Sequence, residues 1–489
     1  MNMDLKRFSI KKQHSQKNNN LQGLTVDLDM SLNIALLKKL TYDTDDLIIK
    51  TFNEEITLVY FESKVDYSDL EKYILSPLTH HQSVEFVESI SLHKTVNIND
   101  INEAIEYLTQ GNCLIIQENK PVIIAIHVEN VMKREISEPI NEQVIRGSHI
   151  GLIERMSSNI NLIRSNVHHP GLVVKYIKSA KKISSDRIAI LYIEELADKD
   201  IVEKLSRKLS IINTDNINYT YFNEELLENN TFSPFPQVLN TERVDRAVNN
   251  LLEGRITLLI DGSPTAYILP VTFFTFYQSP DDYQSRWLIG SFFRILRLLS
   301  FIIALSLPPL YIALIAFHYE VIPGDLALAF KDSVQEIPYP PIVEAIILEI
   351  TIELIREAGI RLPNPLGPTI GIVGGLVIGD AVVNAGLVST LMIIVVALTA
   401  VASFVVPTYE LSMSKRIMRF PLMIAAAYFG FIGIIIGFSI IIIHLCQLES
   451  YGKPYLSPLS PFDPKEFRDS IVRLPSWIIN EKLTNKKPE

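Results

Sequence analysis

The chain has 489 residues, a formal net charge of −10, 20% charged residues and a slightly positive mean hydropathy of +0.21. This length permits two or three domains, and an acidic balance without a basic stripe interleaved with aromatics excludes a nucleic-acid surface. With only Cys113 and Cys446, a disulfide framework and a cysteine zinc site are excluded as well.

Residues 1–45 read as a disordered basic tail and not a signal peptide. Lys6, Arg7, Lys11, Lys12 and Lys17 sit among Asn, Gln and Ser with no apolar core between them. From there to about Trp287 the chain reads as an ordinary soluble protein, and two of its segments repeat. VYFESKVDYSDLEK from Val59 matches LYIEELADKDIVEK from Leu191, and AIEYLTQGNCLIIQENKPVIIAI from Ala104 matches AVNNLLEGRITLLIDGSPTAYIL from Ala247. Each unit predicts a strand, a helix, a second helix and a hairpin, turning at Glu118-Asn119-Lys120 in one copy and Asp261-Gly262-Ser263 in the other. The expected subdomains are residues 46–137 and 185–285, joined by a helical connector over 138–184. The His168-His169 doublet in that connector reads as solvated surface, because adjacent histidines diverge and make a poor metal site. No phosphate loop, hydrolase Ser/His/Asp order or paired-Cys motif occurs, so no catalytic residue, metal or cofactor is expected.

Residues 286–448 predict an all-α polytopic membrane domain, with three uncharged runs long enough to cross a bilayer between Leu298 and Leu448. Arg286, Arg294 and Arg297 precede the first run, Leu298 to Phe317, and place the soluble half in the cytoplasm by the positive-inside tendency. The acidic stretch from His318 to Tyr339 reads as an external loop.

Pro341 to Gly379 is the most unusual stretch. Its first half holds nine branched aliphatics between Ile342 and Ile355, which favour insertion by roughly 3 to 5 kcal/mol, but ionised side chains at Glu344, Glu349, Glu353, Arg356 and Glu357 oppose it by about 10 to 15 kcal/mol. The ions win, so the helix cannot simply face lipid. Glu349, Glu353 and Arg356 share one side with Glu357 beside them, and that side is expected to turn toward protein or water as an intramembrane charged site. A surface-lying amphipathic helix and a purely internal Glu353–Arg356 pair are the competing readings. In the second half, Gly367, Gly371, Gly375 and Gly379 recur every four residues and predict a groove for close helix packing.

Ala381 to Tyr409 is uncharged, and Leu387 to Val406 is about 30 Å long as a helix. Ser389, Met392, Val396, Thr399 and Ser403 are spaced 3, 4, 3 and 4 apart and form one stripe. That pattern suits a pore-lining helix with a hydrophobic gate, and equally an ordinary helix contact. Lys415, Arg416 and Arg419 read as a cytoplasmic loop. Phe420 to Leu448 reads as a last span, with Gly433 and Gly437 at contact spacing, before a Pro-rich tail over 449–489. Counting every apolar segment gives five crossings and an external tail, whereas Lys482, Lys486 and Lys487 favour an internal one.

The chain resembles the A subunits of spore germinant receptors of endospore-forming bacteria, the GerA family, over nearly its whole length from about residue 50. The resemblance rests on IRGSHIGLIERMSSNINLIR, SPFPQVLNTERVDRAVNNLLEGRITLLIDGSPTAYILPVTFF, DDYQSRW, PPLYIALIAFHYEVIP, EAIILEITIELIREAGIRLPNPLGPTIGIVGGLVIGDAVVNAGLVS and YGKPYLSP. Val244 departs from the family's usual Pro after Glu-Arg, and Gln284 stands where another aromatic is common. The repeats and the basic residues before the first run already predict a cytoplasmic α/β region of two repeated subdomains followed by an all-α polytopic membrane domain. The resemblance implies residence in the spore inner membrane, a B subunit that is transporter-like and binds nutrient, and a C subunit that is a lipoprotein. A homo-oligomeric ring gated by nutrient would release monovalent cations at the start of germination. A non-conducting membrane-anchored scaffold, or the related F component of the dipicolinate-release system, is the alternative.

Overall fold

The structure is a computed structural model that describes residues 24–475, apart from 53–54, 81–94, 131–138, 140–141, 143, 145–146, 179–186, 212–225, 325–333, 335–336, 362–378 and 465. The chain divides into two compact units, one built on two β-sheets and one comprising Asn230–Gln237 and Thr272–Ile479.

In the first unit, β1 (Leu47–Phe52), β2 (Ile56–Phe61), β3 (Thr95–Ile98), β4 (Asn112–Gln117) and β5 (Ile123–His127) form an antiparallel sheet in the order β1-β2-β4-β5-β3. Because side chains alternate across a strand, β2 sends Val59 and Phe61 to one face and Leu58 and Tyr60 to the other. The first pair joins a core with Met30 and Leu37 of α1 (Met30–Leu40) and Ile101, Ala104 and Leu108 of α2 (Ile101–Thr109). The second joins Leu70, Ile74 and Cys113. Both faces are covered, so all six residues of β2 are buried.

The tail expected to be disordered through residue 45 is therefore helical over Met30–Leu40. Asp29 caps that helix by accepting from the Ser31 amide, and its apolar positions complete the first core.

The second sheet contains β6 (Leu172–Lys178), β7 (Arg187–Ile193), β8 (Leu239–Thr241), β9 (Ile256–Ile260) and β10 (Ala266–Leu269), in the order β6-β7-β9-β10-β8. It is covered by α3 (Met156–Val167) and α5 (Val244–Leu252), while α4 (Lys199–Ile211) buries Ile201, Val202, Leu205 and Leu209. Residues 138–184 are thus not a helical connector throughout: α3 contributes to the second core and Leu172–Lys178 is an edge strand paired with β7. The strand is legible in hindsight, since Leu172, Val173 and Val174 are buried β-formers. The histidine doublet ends α3, where His168 takes a left-handed conformation and the buried His169 accepts from the Gly171 amide through Nδ1. Strands β1, β3, β6 and β8 were missing from the expected pattern, each being short or weakly alternating.

Gly111 after α2 and Gly254 after α5 both have positive φ, 88° and 84°, and close the helix by donating an amide hydrogen bond to the Leu108 and Leu251 carbonyls respectively. A side chain there would be strained, which accounts for a glycine before each hairpin.

Segments around β1 and β6 interlock the two sheets. The Asp45 amide donates to the Val174 carbonyl at 2.9 Å, the Thr44 hydroxyl accepts from the Val174 amide at 2.9 Å, and buried Arg164 pairs with Asp46 at 2.6 Å while stacking on Phe61.

The second unit is helical. Its long elements are α7 (Trp287–Ala316), preceded by the short α6 (Pro280–Gln284), then α8 (Pro341–Arg361), α9 (Gly379–Asn384), α10 (Thr390–Phe404) and α11 (Tyr409–Gln447). Two of them, α7 and α11, are long and apolar enough to cross a membrane. The expected span over Leu387–Val406 shortens to the 15 residues of α10, about 22 Å, because Ser389 caps its start and Pro407 follows its end.

α11 is two helices. Gly430 has φ 56° and ψ −138°, and residues 431–447 run back along 409–429. A Cβ on Gly433 would overlap the Ala425 carbonyl and one on Gly437 the Leu422 side chain, contacts that a straight helix forbids at eight and fifteen residues' separation. What reads as a loop followed by one span is a helical hairpin. Lys415, Arg416 and Arg419 lie within its first arm.

The tail is described through residue 475, apart from 465. Strands β11 (Glu449–Ser450) and β12 (Lys453–Pro454) form a small hairpin, and the fully buried Tyr455 follows.

Candidate functional site: a buried charge network among four helices

The alternating charge and Ile/Leu content of α8 gives it an acidic side, and that side meets basic residues of α11. Glu349 pairs with Arg419, and each side chain is only 3% exposed. Arg419 also donates to the Ala304 carbonyl of α7 at 2.8 Å and to the Ser403 hydroxyl of α10 at 3.1 Å, so one guanidinium ties four helices together. One turn earlier, Lys415 donates to the Ser403 carbonyl at 2.8 Å, a last-turn carbonyl that suits a cation at a helix C-terminus. Among the described residues, this fully buried ammonium forms no ion pair.

Toward the other end of α8, the Glu344 carboxylate accepts from the amide and hydroxyl of Ser389, the N-cap of α10, where an anion complements the helix dipole. The Tyr311 hydroxyl shares a 3.0 Å hydrogen bond with the same Ser389 hydroxyl. Near the C-terminal half of α8, Glu353 pairs with Arg356 and lies 3.7 Å from the Arg416 guanidinium. Arg416 donates to the Ser412 hydroxyl at 3.0 Å. Two polar atoms in this network, Glu349 Oε1 and Arg356 Nε, have no hydrogen-bond partner among the described residues.

Of the residues singled out from the sequence, Glu344, Glu349, Glu353 and Arg356 are brought into this network. Glu357 is not: it pairs with the exposed Arg361 on the outer side of α8. Ser389, Met392, Val396, Thr399 and Ser403 do share one face, but that face is buried inside the protomer. Met392 and Val396 pack with Ile312, Ala345, Leu348 and Met423. Of the two readings of this stripe, a helix contact is what the described residues display within one protomer. Gly433 and Gly437 lie where the arms of α11 come closest, and Gly379 begins α9. Gly367, Gly371 and Gly375 lie outside the described residues.

Lys415, Arg416 and Arg419 were the partners missed. As markers of a cytoplasmic loop they needed no partner. The signal that would have found them is charge balance, since the acids of α8 require cations at the same depth and the i, i+4 spacing of Lys415 and Arg419 puts both on one helix face. Among the described residues, no group of three or more His, Cys, Asp and Glu side chains is arranged to hold a metal ion.

Comparison with known proteins covers almost the whole chain. The profile of the Bacillus/Clostridium GerA spore germination protein family matches residues 35–485. Spore germination protein B1 of Bacillus subtilis (strain 168) is 37% identical over 479 residues, covering 95% of this chain and 99% of that protein. Spore germination protein A1 of the same organism is 41% identical over 373 residues, 76% of this chain and 77% of that one. Among solved structures, the N-terminal domain of the A subunit of the Bacillus megaterium spore germinant receptor GerK3 aligns with a TM-score of 0.40 at 23% identity, over 51% of this chain and 97% of that one. With a profile match from residue 35 to residue 485, the chain belongs to the GerA family of spore germination proteins.

Proposed function

We propose that the protein is the A subunit of a nutrient-sensing germinant receptor in the spore inner membrane. It acts there with a transporter-like, nutrient-binding B subunit and a lipoprotein C subunit. Its first unit is a cytoplasmic region of two repeated α/β subdomains, and its second is a multi-pass membrane domain surrounded by lipid. Several copies assemble into a nutrient-gated channel that releases monovalent cations at the start of germination.

The observation that carries the membrane mechanism is the Glu349–Arg419 pair, buried among helices whose outward faces expose Ile302, Ile424, Phe429, Ile435 and Ile440. Charged groups inside and apolar groups outside are the inverse of a soluble bundle, and they suit a helix cluster in lipid with a functional polar interior. Nutrient binding on the partner favours an arrangement of α8 and α11 in which this network shifts. In that arrangement Glu353 separates from Arg356 and Arg416, and its freed carboxylate supplies negative potential along the path.

A scaffold without conductance is the second reading, and the burial of the Ser389 to Ser403 face favours it. The two separate in liposomes containing the purified receptor subunits: a channel gives nutrient-dependent cation flux that falls in Glu353→Gln, whereas a scaffold conducts in no state.

A further inference from the structure

The apolar segments alone leave the side of the tail undecided, and the side-chain contacts of the second unit speak to it directly. At the start of α7, Asp282 is held by Arg294 at 3.1 Å and Arg297 at 2.7 Å. Residues of the tail complete the same cluster. Asp469 accepts from Arg294 at 3.0 Å and from the Tyr283 hydroxyl at 3.1 Å, Arg473 donates to the Asp282 and Ser285 carbonyls, and the guanidinium groups of Arg294 and Arg473 both stack on Tyr283.

A second set of contacts agrees. The Phe273 amide donates to the Tyr455 carbonyl at 2.7 Å, the Tyr455 hydroxyl to the Pro236 carbonyl at 2.7 Å, and the Ser450 hydroxyl to the Gln237 carbonyl at 3.0 Å. His444, in the last turn of α11, shares a 2.9 Å hydrogen bond with Ser233.

The opposite end of α7 marks the other level. There the His318 ring stacks on Phe431 with centroids 4.6 Å apart, and a Cβ on Gly430 would meet Phe317 and His318. The start of α11 returns to the first level, where the Thr408 hydroxyl donates to the Phe276 carbonyl at 3.3 Å. The first arm of α11 therefore runs from the base of α7 to its tip. The second arm runs back, over lengths of about 31 and 25 Å, each close to the thickness of a bilayer's hydrocarbon core.

We infer that the polypeptide crosses the membrane an even number of times, and that residues 449–475 lie on the face from which the chain enters α7, clasped to that helix's base by Asp469 and Arg473. A chain that enters and leaves by one face makes an even number of crossings whatever path residues 318–408 take. The odd count came from treating α11 as one span when its arms make two. The inference rests on the reading of α7 and both arms of α11 as bilayer-spanning. It does not depend on ion conduction.

The test uses the full chain in a Cys446→Ser background, with Cys113 retained because it is fully buried. Single cysteines replace exposed residues: Gln284→Cys at the base of α7, Glu320→Cys beyond its tip, and Lys453→Cys and Leu459→Cys in the tail. Cells expressing each variant are treated with a membrane-impermeant maleimide before and after permeabilisation. The expected result is labelling of Glu320→Cys in intact cells, with complete loss of labelling at the other three positions until the membrane is opened. Labelling of both tail variants together with Glu320→Cys in intact cells overturns the inference. So does equal labelling of every variant, which would mean that nothing crosses. The mirror image, with only Glu320→Cys protected, upholds the even count and overturns instead the cytoplasmic placement of the soluble half.

Discussion

Glu349 on α8 and Arg419 on α11 are held against each other with 3% of either side chain exposed, and the guanidinium reaches two further helices through the Ala304 carbonyl and the Ser403 hydroxyl. Removing either partner leaves the other as an uncompensated buried charge. Arg419→Ala and Glu349→Ala are each expected to cost about 3–5 kcal/mol, while Glu349→Met combined with Arg419→Leu recovers much of that loss. Thermal unfolding of the purified protein in detergent checks this. A double variant no better than the singles would show that Arg419 matters through its bonds to α7 and α10 more than through the ion pair.

The hairpin in α11 requires the absence of a side chain at its tightest point. Gly433→Ala places a Cβ against the Ala425 carbonyl, a backbone atom that cannot rotate away, and should destabilise the protein by about 1–3 kcal/mol with lower accumulation in the membrane. Gly359→Ala is the contrast, because nothing among the described residues lies within 4 Å of its Cβ position in α8. That substitution is expected to be stabilising by roughly 0.5–1 kcal/mol.

Tyr60 and Tyr192, at matching positions of the repeated segments, predict an alkaline limit to stability. Burial is the first cause at both sites, with nearby groups including Glu62 and Glu194 adding to it, and each phenol is pushed up to about 12. In the unfolded chain a tyrosine loses its proton near pH 10. Between about pH 10 and 12 the unfolded state binds fewer protons than the folded one, so stability is fully present below that window and falls as pH rises through it. Denaturant unfolding at stepped pH, with phenolate formation followed by ultraviolet absorbance, checks the sign. Tyr60→Phe with Tyr192→Phe should flatten the decline.

The two thiols should differ sharply in reactivity. Cys113 is in β4, fully buried, and burial pushes its thiol up, away from the reactive thiolate, whereas Cys446 is exposed on the second arm of α11. A small maleimide should modify one thiol in the native protein and the second only on unfolding. Mass spectrometry of the labelled chain reads the result, and native modification at Cys113 would mean that the first sheet opens readily.

Elements with a strong local period were readable in the chain itself. A helix, a glycine and a hairpin follow one another at α2 with β4–β5 and at α5 with β9–β10, because amphipathic spacing, a glycine with positive φ and turn chemistry are local properties. The acidic side of α8 was legible for the same reason. Helical spacing makes Glu349 and Glu353 neighbours on one side, and carboxylates removed from water demand partners.

What those acids touch was decided only in three dimensions. Arg419 lies seventy residues from Glu349, and uncharged runs contain nothing to say that Gly430 reverses the chain and brings that guanidinium into register with α8. A serine and methionine stripe such as Ser389 to Ser403 reads identically whether it faces a neighbouring helix or an aqueous axis. In the structure Met392 and Val396 pack with residues of α7, α8 and α11. Local periodicity specifies which face of a helix is special, and only the long-range arrangement specifies what that face meets.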